Sequence, residues 1–572
     1  MATFPTLVAL LAERAKTQPD ERAYVFLSDR GAEEAALTFG QLHDAAQALA
    51  ARLATLSRPG DRAILVFPPG LEFMVAFFGC LIAGVIAVPM MVPRRNSARD
   101  SSAAIMANCE PVIALTSPAF AVRQDLQERF SRDRVQWLSV DLAEPGCGIA
   151  DLPSPDPQDI AFLQYTSGST SEPKGVAVSH ANLVANLEMI RLALGNTKHS
   201  TYVNWVPLYH DMGLIFNALE AFYAGALCVL MAPNAFTQRP LGWLRTISHY
   251  RAEVAASPNF GYDLCVSRYR ADQMEGVDLS SWKIAANGAE PVHAETIERF
   301  IETFAGHGFK PEAMFPAYGM AEATLLISGG RRGAGHVTRA VSRSALQAHR
   351  VAAAADEADV QMLVGCGRAL AGVQIAIVDP DSRRRLAIGQ VGEIWVDGPN
   401  VARSYWRNVE ATKTGLNAQI AGVDDGTTWL RTGDLGFLDE TDELFITGRI
   451  KDLIIIRGIN HYPQDIEYTV QTGHPALRQN CGAAFSVPDE HDEEVLVVVQ
   501  EIERTERNRI DAAEMKGLIR EAITDQHELF ARHIVLILPG ALPKTTSGKI
   551  QRSLARKLWL DGHFEDLAAG AD

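Results

Sequence analysis

At 572 residues the chain is too long for a single hydrophobic core, so two or more domains are expected. A hydrophobic fraction of 47% with 21% charged residues is that of an ordinary globular protein and excludes long disordered spans. The net charge of -16 argues against general nucleic-acid binding, which needs a basic face, while still allowing one basic pocket.

In chain order, the N-terminus carries Glu13, Arg14 and Lys16 where a signal peptide would need an apolar block, so none is expected. Up to about residue 330, helical patterns alternate with short apolar runs: Ala63-Ile64-Leu65-Val66, Val85-Ile86-Ala87-Val88, Val112-Ile113-Ala114-Leu115 and LCVLM (227–231). That alternation predicts an α/β fold with largely parallel strands, and no repeat of solenoid length interrupts it. Residues 73–93 are uncharged and long enough to cross a membrane, but Gly79, Gly84 and Pro89 break them. FMVAFFGCLIAG followed by VIAVPMMV predicts a buried helix feeding a buried strand, so the chain is not expected to be an integral membrane protein. The seven cysteines (80, 109, 147, 228, 265, 366 and 481) form no C-x-x-C pair, which excludes a zinc knuckle and a disulfide framework and predicts a reducing, cytoplasmic setting.

The stretch YTSGSTSEPKG (165–175) follows the strand-like run Ile160-Ala161-Phe162-Leu163. Glycines that admit backbone N–H groups close to an oxyanion, hydroxyl donors and Lys174 together suggest a phosphate cradle. A polar surface loop is the plainer alternative. It is not a Walker loop, because Pro173 stands where that pattern needs glycine.

From Arg331 to Met362 the composition turns alanine-rich (SALQAHRVAAAADEADVQM, 344–362), and Ser344 with Gln347 predicts a capped helix start on a surface-lying or partly mobile insertion. Strand-like VQIAIVDP (373–380) and GEIWVDG (392–398) open a smaller β-rich unit running to about Gly448. The charged link Arg449, Lys451 and Asp452 then leads into a last segment with its own strands and helices, including EEVLVVVQEI (493–502) and HIVLILPG (533–540). The expected division is 1–448 with the insertion at 331–362, a hinge at 449–452, and a small α+β domain at 453–572.

Six further stretches place polar residues in apolar surroundings: WVPLYHDMGL (205–214), SPNFGYDLC (257–265), NGAEPV (287–292), YGMAEAT (318–324), RTGDLG (431–436) and LPKTTSGKIQR (542–552). Each alone has a structural explanation, as a turn pair, a cap or a helix-start charge. In this order, together with YTSGSTSEPKG, they resemble the adenylate-forming superfamily of acyl-CoA synthetases, peptide-synthetase adenylation domains and luciferases over essentially the whole chain. YHDMGLI, the insertion and RGINHYPQDIE (457–467) are similar in detail to fatty-acyl-AMP ligases. Their CoA-directed relatives usually have a GYQVPPAELE-like stretch where this chain has NHYPQDIE.

The resemblance implies a large adenylation domain of α/β sheets plus a small β-rich unit, with a mobile C-terminal domain on a hinge at Lys451. It implies attack of a medium- or long-chain fatty carboxylate on the α-phosphate of ATP. The acyl group then passes to the phosphopantetheine thiol of an acyl carrier protein of a polyketide or peptide synthetase. Thr166, Ser167, Gly168, Ser169, Thr170 and Lys174 would hold the phosphates, and Glu322 would anchor Mg²⁺ with Thr170 as a second ligand. Gly288, Ala289, Glu290, Tyr318, Gly319 and Met320 would frame the adenine. Asp434 would accept from both ribose hydroxyls, assisted by Arg449. Lys549 would stabilise the charge that builds between carboxylate and phosphate, with His210 close by. Phe260, Gly261 and Leu264 would line the acyl pocket. No G-x-S-x-G elbow supports a serine nucleophile. Two rivals follow: a fatty-acyl-CoA synthetase, and a non-catalytic nucleotide- or acyl-binding regulator, which the presence of Lys549 and Glu322 disfavours.

Overall fold

A computed structural model describes residues 4–92, 102–123, 135–142, 152, 154–166, 173–507, 509–545 and 548–567. Among them two large sheets carry the N-terminal part. The first has nine strands, and its central run Arg22–Leu27, Leu227–Met231, Thr201–Asn204, Val254–Ser257, Ile284–Asn287 and Met314–Gly319 is parallel throughout. Antiparallel strands close both edges. The second sheet has seven strands, five of them parallel; Lys174–Ser179 adds antiparallel to the parallel strand Ile160–Thr166, and Ser404–Tyr405 closes that edge. Strands buried on both faces read as continuous apolar runs, which is why they stood out in the sequence.

Between the sheets, the helix Glu72–Ala83 is apolar all round because it is buried all round. It leads through Gly84 into the fully buried strand Ile86–Met90, as the break at Gly84 predicted. Among the described residues no helix is long and apolar enough to cross a membrane.

A four-stranded antiparallel sheet, Gln374–Val378, Gly392–Asp397, Leu430–Leu438 and Leu444–Arg449, forms the β-rich unit. After a single 3-10 turn, Ile450–Asp452, comes a smaller domain. Its three-stranded sheet (Leu477–Pro488, Glu494–Ile502, Ala531–Ile537) packs helices Pro463–Thr472 and Ala512–His527 over a separate core that includes Ile466, Val498, Ile519 and Leu536.

The insertion differs from expectation. It is neither a surface helix nor a loose excursion. Thr338–Ser342 and Val360–Val364 pair antiparallel, and the helix between them is a short one, Arg343–Gln347. Its cap is Ser342, whose hydroxyl accepts from Ala345 N at 3.0 Å, not Ser344. Val341, Leu346 and Leu363 are buried against Leu435, Phe437 and Phe445 of the β-rich unit and against Tyr462 of the small domain. Alanine content misled because three well-placed large side chains suffice to seat a segment of this size. Leu346→Ala is expected to lower stability by about 2–4 kcal/mol in urea denaturation. An unchanged midpoint would restore the reading of the insertion as a surface appendage.

Candidate active site

Four parallel strands of the nine-stranded sheet end just before four of the motifs. Thr201–Asn204 leads to His210, Val254–Ser257 to Phe260, Ile284–Asn287 to Glu290, and Met314–Gly319 to Glu322. The carboxyl ends of parallel strands open a cleft in which ligands bind, so the topology gathers residues 100 positions apart into one place. Close backbone approach is built in at Gly288: a Cβ there would stand 2.5 Å from Ala317 O. The next residue, Ala289, takes a left-handed φ of +66°, a conformation a β-carbon disfavours.

Asp434 lies on Leu430–Leu438 directly opposite Arg449. Its Oδ2 accepts from Tyr318 Oη at 2.7 Å, and its Oδ1 pairs with Arg449 Nε at 2.8 Å. Three residues that the resemblance assigns to the nucleotide are thus one bonded unit. Gly319 and Met320 continue from Tyr318 along the same edge, where Met320 N donates to Leu325 O.

Glu322 is buried, and burial raises its carboxyl above the usual range, opposed mainly by Tyr405 Oη, which donates to Oε1 at 2.9 Å. The Tyr405 ring also lies 5.1 Å beneath Lys174 Nζ, linking the glutamate to the phosphate-cradle lysine. Sequence reasoning missed Tyr405; an aromatic beside a strand-end tryptophan carries no signal of its own. Lys174 pairs with Thr166 across the antiparallel strands. Ser167, Gly168, Ser169 and Thr170 lie outside the described residues. A buried carboxylate with a raised proton affinity is stabilised by a cation, so Glu322 fits a magnesium site completed by phosphate oxygens and water. Among the described residues no cluster of three metal-ligating side chains offers an alternative site.

His210 Nδ1 lies 2.7 Å from Asp211 Oδ1. Burial works against the Asp211 charge, but His210, Lys549 and the Met212 N–H together hold its carboxyl below the usual range. The residues that follow, Met212–Leu219, form a π-helix, a rare form that is frequent at functional sites. Phe260, Gly261 and Leu264 share the helix Asn259–Ser267. Phe260 and Leu264 stand one turn apart on one face. Gly261 turns elsewhere, against Ser257, Trp205 and Phe236, where a Cβ would collide with Ser257 Oγ at 2.0 Å.

Lys549 reaches this cleft from the small domain. Its N–H donates to Thr545 Oγ1 at 3.0 Å and its carbonyl accepts from Thr545 N at 2.7 Å, which closes the turn. Burial lowers the ammonium's proton affinity, and Arg449 adds to this; Asp211, Glu290 and Asp434 oppose it. Lys549 is partly buried, and its ammonium feels the carboxylates of three motifs.

Contacts unseen in the sequence hold the two domains in this orientation. Asn460 Nδ2 donates to Gln347 O at 2.8 Å, and Gln361 Nε2 to Asp465 Oδ2 at 2.8 Å. On the other side, Tyr468 Oη donates to Glu295 and its ring stacks on His293, centroids 4.7 Å apart. The insertion and NHYPQDIE, two separate marks in the sequence, are direct partners.

A fold of this kind, with a charged cleft at the strand ends and a lysine delivered from a second domain, defines an adenylate-forming enzyme. The family model "AMP-binding enzyme" matches residues 11–406, and that of the AMP domain of Disco-interacting protein 2-like proteins matches 451–568. The medium-chain-fatty-acid–[acyl-carrier-protein] ligase JamA of Moorena producens is 43% identical over 99% of this chain and 97% of its own length. A Mycobacterium tuberculosis protein named as a fatty-acid–CoA ligase, FadD25, is 38% identical over 99% of both. The crystal structure of the Legionella pneumophila fatty acyl-adenylate ligase with acyl adenylate and pyrophosphate is 40% identical, with a TM-score of 0.74 over 99% of this chain and 98% of that one. The chain belongs to the AMP-binding enzyme family.

Tyr318→Phe removes the hydroxyl that fixes Asp434. A hydrogen bond to a buried charge contributes about 1.5–3 kcal/mol. The expected result is a KM for ATP raised roughly tenfold or more, with the KM for fatty acid little changed. Equal rises in both would show that the pair supports the fold and not the nucleotide.

Proposed function

We propose that this chain is a fatty-acyl-AMP ligase acting on medium-chain acids, with an acyl carrier protein as acceptor. The observation that carries the reading is the bonded trio Tyr318, Asp434 and Arg449, with the partly buried Lys549 of the small domain in the field of Asp211, Glu290 and Asp434. The fatty carboxylate oxygen attacks the α-phosphorus of ATP; the new P–O bond forms as the bond to pyrophosphate breaks. Lys549 stabilises the negative charge that develops between carboxylate and phosphate, and His210 lies at the carboxylate end. Asp434 holds the ribose hydroxyls, and Arg449 keeps that carboxylate oriented. Thr166 and Lys174 serve the phosphates, with Ser167, Gly168, Ser169 and Thr170 completing the cradle. Magnesium held by Glu322 and Thr170 would neutralise phosphate charge. In the second step the carrier's pantetheine thiolate attacks the acyl carbonyl and AMP leaves.

The domain division at 449–452, with Lys451 at the pivot, belongs to this proposal: the single turn Ile450–Asp452 is all that joins the two cores covalently. The contacts from the insertion to Asn460 and Asp465 favour a carrier over CoA, because a carrier docked on the protein surface supplies binding energy to release them that free CoA lacks. A carrier of a polyketide or peptide synthetase fits, since it brings its own docking surface and needs no nucleotide site. The six described cysteines are buried and unpaired, which fits a reducing cytoplasm.

With octanoate, ATP and Mg²⁺ the protein is expected to release pyrophosphate and form acyl-AMP, and Lys549→Ala to cut this at least ~10²-fold. Unchanged adenylation in that variant would remove Lys549 from catalysis. For the acceptor, mass detection should find a loaded carrier and negligible acyl-CoA from the intact protein. Deleting the insertion would expose the core under Leu346, so the informative variant is Asn460→Ala with Gln361→Ala, which should raise acyl-CoA at least weakly. Robust acyl-CoA synthesis by the intact protein would favour the CoA-ligase reading that the FadD25 likeness keeps open.

A further inference from the structure

Glu290 stands at the strand end where the resemblance puts an adenine-framing residue, yet its carboxylate points to different work. Phe260 N donates to Glu290 Oε1 at 2.6 Å. Phe260 is the second residue of the helix Asn259–Ser267, whose first N–H groups lack partners within the helix, so the carboxylate satisfies one of them and suits the helix dipole. The Phe260 ring also meets the small domain: a Cβ built on Gly548 would lie 3.9 Å from Phe260 Cε1. Gly548 has φ +90°, which leaves the turn free of a side chain there, and Lys549 follows it. Glu290 therefore holds the start of the helix whose Phe260 ring lies beside the turn that carries Lys549.

Of the three carboxylates that face Lys549, Asp211 already faces His210 and Asp434 faces Arg449. The bonded partner of Glu290 is a neutral backbone N–H. The charged groups around Glu290 are Lys549 and Lys544 from the small domain and Asp263 from the helix it caps. Resting on the ligase reading above, we propose that Glu290 is a positioning residue: it seats the Lys549 turn before substrate binds and gives up its own charge when the fatty carboxylate takes that lysine. Two carboxylates cannot both stay ionised at short range without cost, and the substrate cannot shed its charge and still attack phosphorus. Glu290 can accept a proton instead. Burial pushes its carboxyl up to about 7, against the pull of the Phe260 N–H and Lys549, so that proton exchanges near neutrality.

The sign follows directly. Below about pH 7 Glu290 is already neutral, and fatty-acid binding costs nothing at this position. Above it the side chain is anionic in the free enzyme, and binding must be accompanied by proton uptake. The KM for octanoate, measured by pyrophosphate release, should rise roughly tenfold between about pH 6 and 8.5 in the wild type. In Glu290→Gln, which keeps an oxygen acceptor for Phe260 N–H but has no charge to lose, that rise should be absent. Glu290→Ala also removes the acceptor and should lower kcat, a loss that Gln rescues. Parallel octanoate profiles in wild type and Glu290→Gln would overturn the inference, whereas a wild type that makes no acyl-AMP at any pH would overturn the ligase reading instead. Should Glu290→Gln fail to fold, calorimetric octanoate binding to His210→Ala in two buffers of different ionisation enthalpy gives the answer. Proton uptake near pH 8 but not near pH 6 is expected, and none at either pH would overturn it.

Discussion

An ammonium group carried on one domain and drawn partly out of water beside another is held only if negative charge waits for it. Burial lowers the proton affinity of Lys549, and Arg449 pushes the same way. Asp211, Glu290 and Asp434 offset both, and each comes from a different segment of the large domain. Much of the cleft follows from that requirement. The strand ends must converge so the carboxylates stand together, and each carboxylate needs a second partner so that it does not simply trap the lysine. His210, the Phe260 N–H and the Tyr318–Arg449 pair are those partners. A lysine that is attracted but not tightly paired can move to a substrate as charge builds there.

Delivery also needs an orientation. Arg552, three residues beyond Lys549, bonds Glu467 through Nε and Asp452 through NH1, each at 2.7 Å. Asp452 sits in the linking turn, so the base of the Lys549 turn is tied to the point where the chain leaves the large domain. Removing one member of such a buried ionic group is expensive, so the link and the small domain hold a defined relation. The insertion grips Asn460 and Asp465 from one side, while Glu295 and His293 meet Tyr468 from the other. These contacts are polar and sit at the domain boundary. Such contacts can break and reform with modest changes in free energy.

Much of this was legible in the sequence because burial leaves marks. Doubly covered parallel strands showed as short apolar runs, and the motifs stood at strand ends because ligand clefts lie there. What escaped was partner choice. Nothing in DEADVQM or NHYPQDIE announces that Gln361 will meet Asp465, since a polar side chain carries no record of its acceptor. The alanine count of the insertion concealed Val341, Leu346 and Leu363, which seat it. The helix cap was misplaced by two residues because Ser342 and Ser344 are equally competent and the strand Thr338–Ser342 decides between them. The direction of the Glu290 side chain depends on the left-handed turn at Ala289, which no residue type there foretells.

The most direct test of the account is a crystal structure of the protein with octanoyl-sulfamoyl-adenosine, a stable mimic of the acyl-adenylate. The account predicts the Lys549 ammonium within hydrogen-bond distance of the acyl carbonyl or the bridging sulfamoyl oxygen. It also predicts the Asp434 carboxylate on both ribose hydroxyls and the alkyl chain running along the Phe260–Leu264 face. A complex in which the ligand fills the cleft while Asp434 contacts no ribose hydroxyl and Lys549 approaches no reacting atom would contradict it.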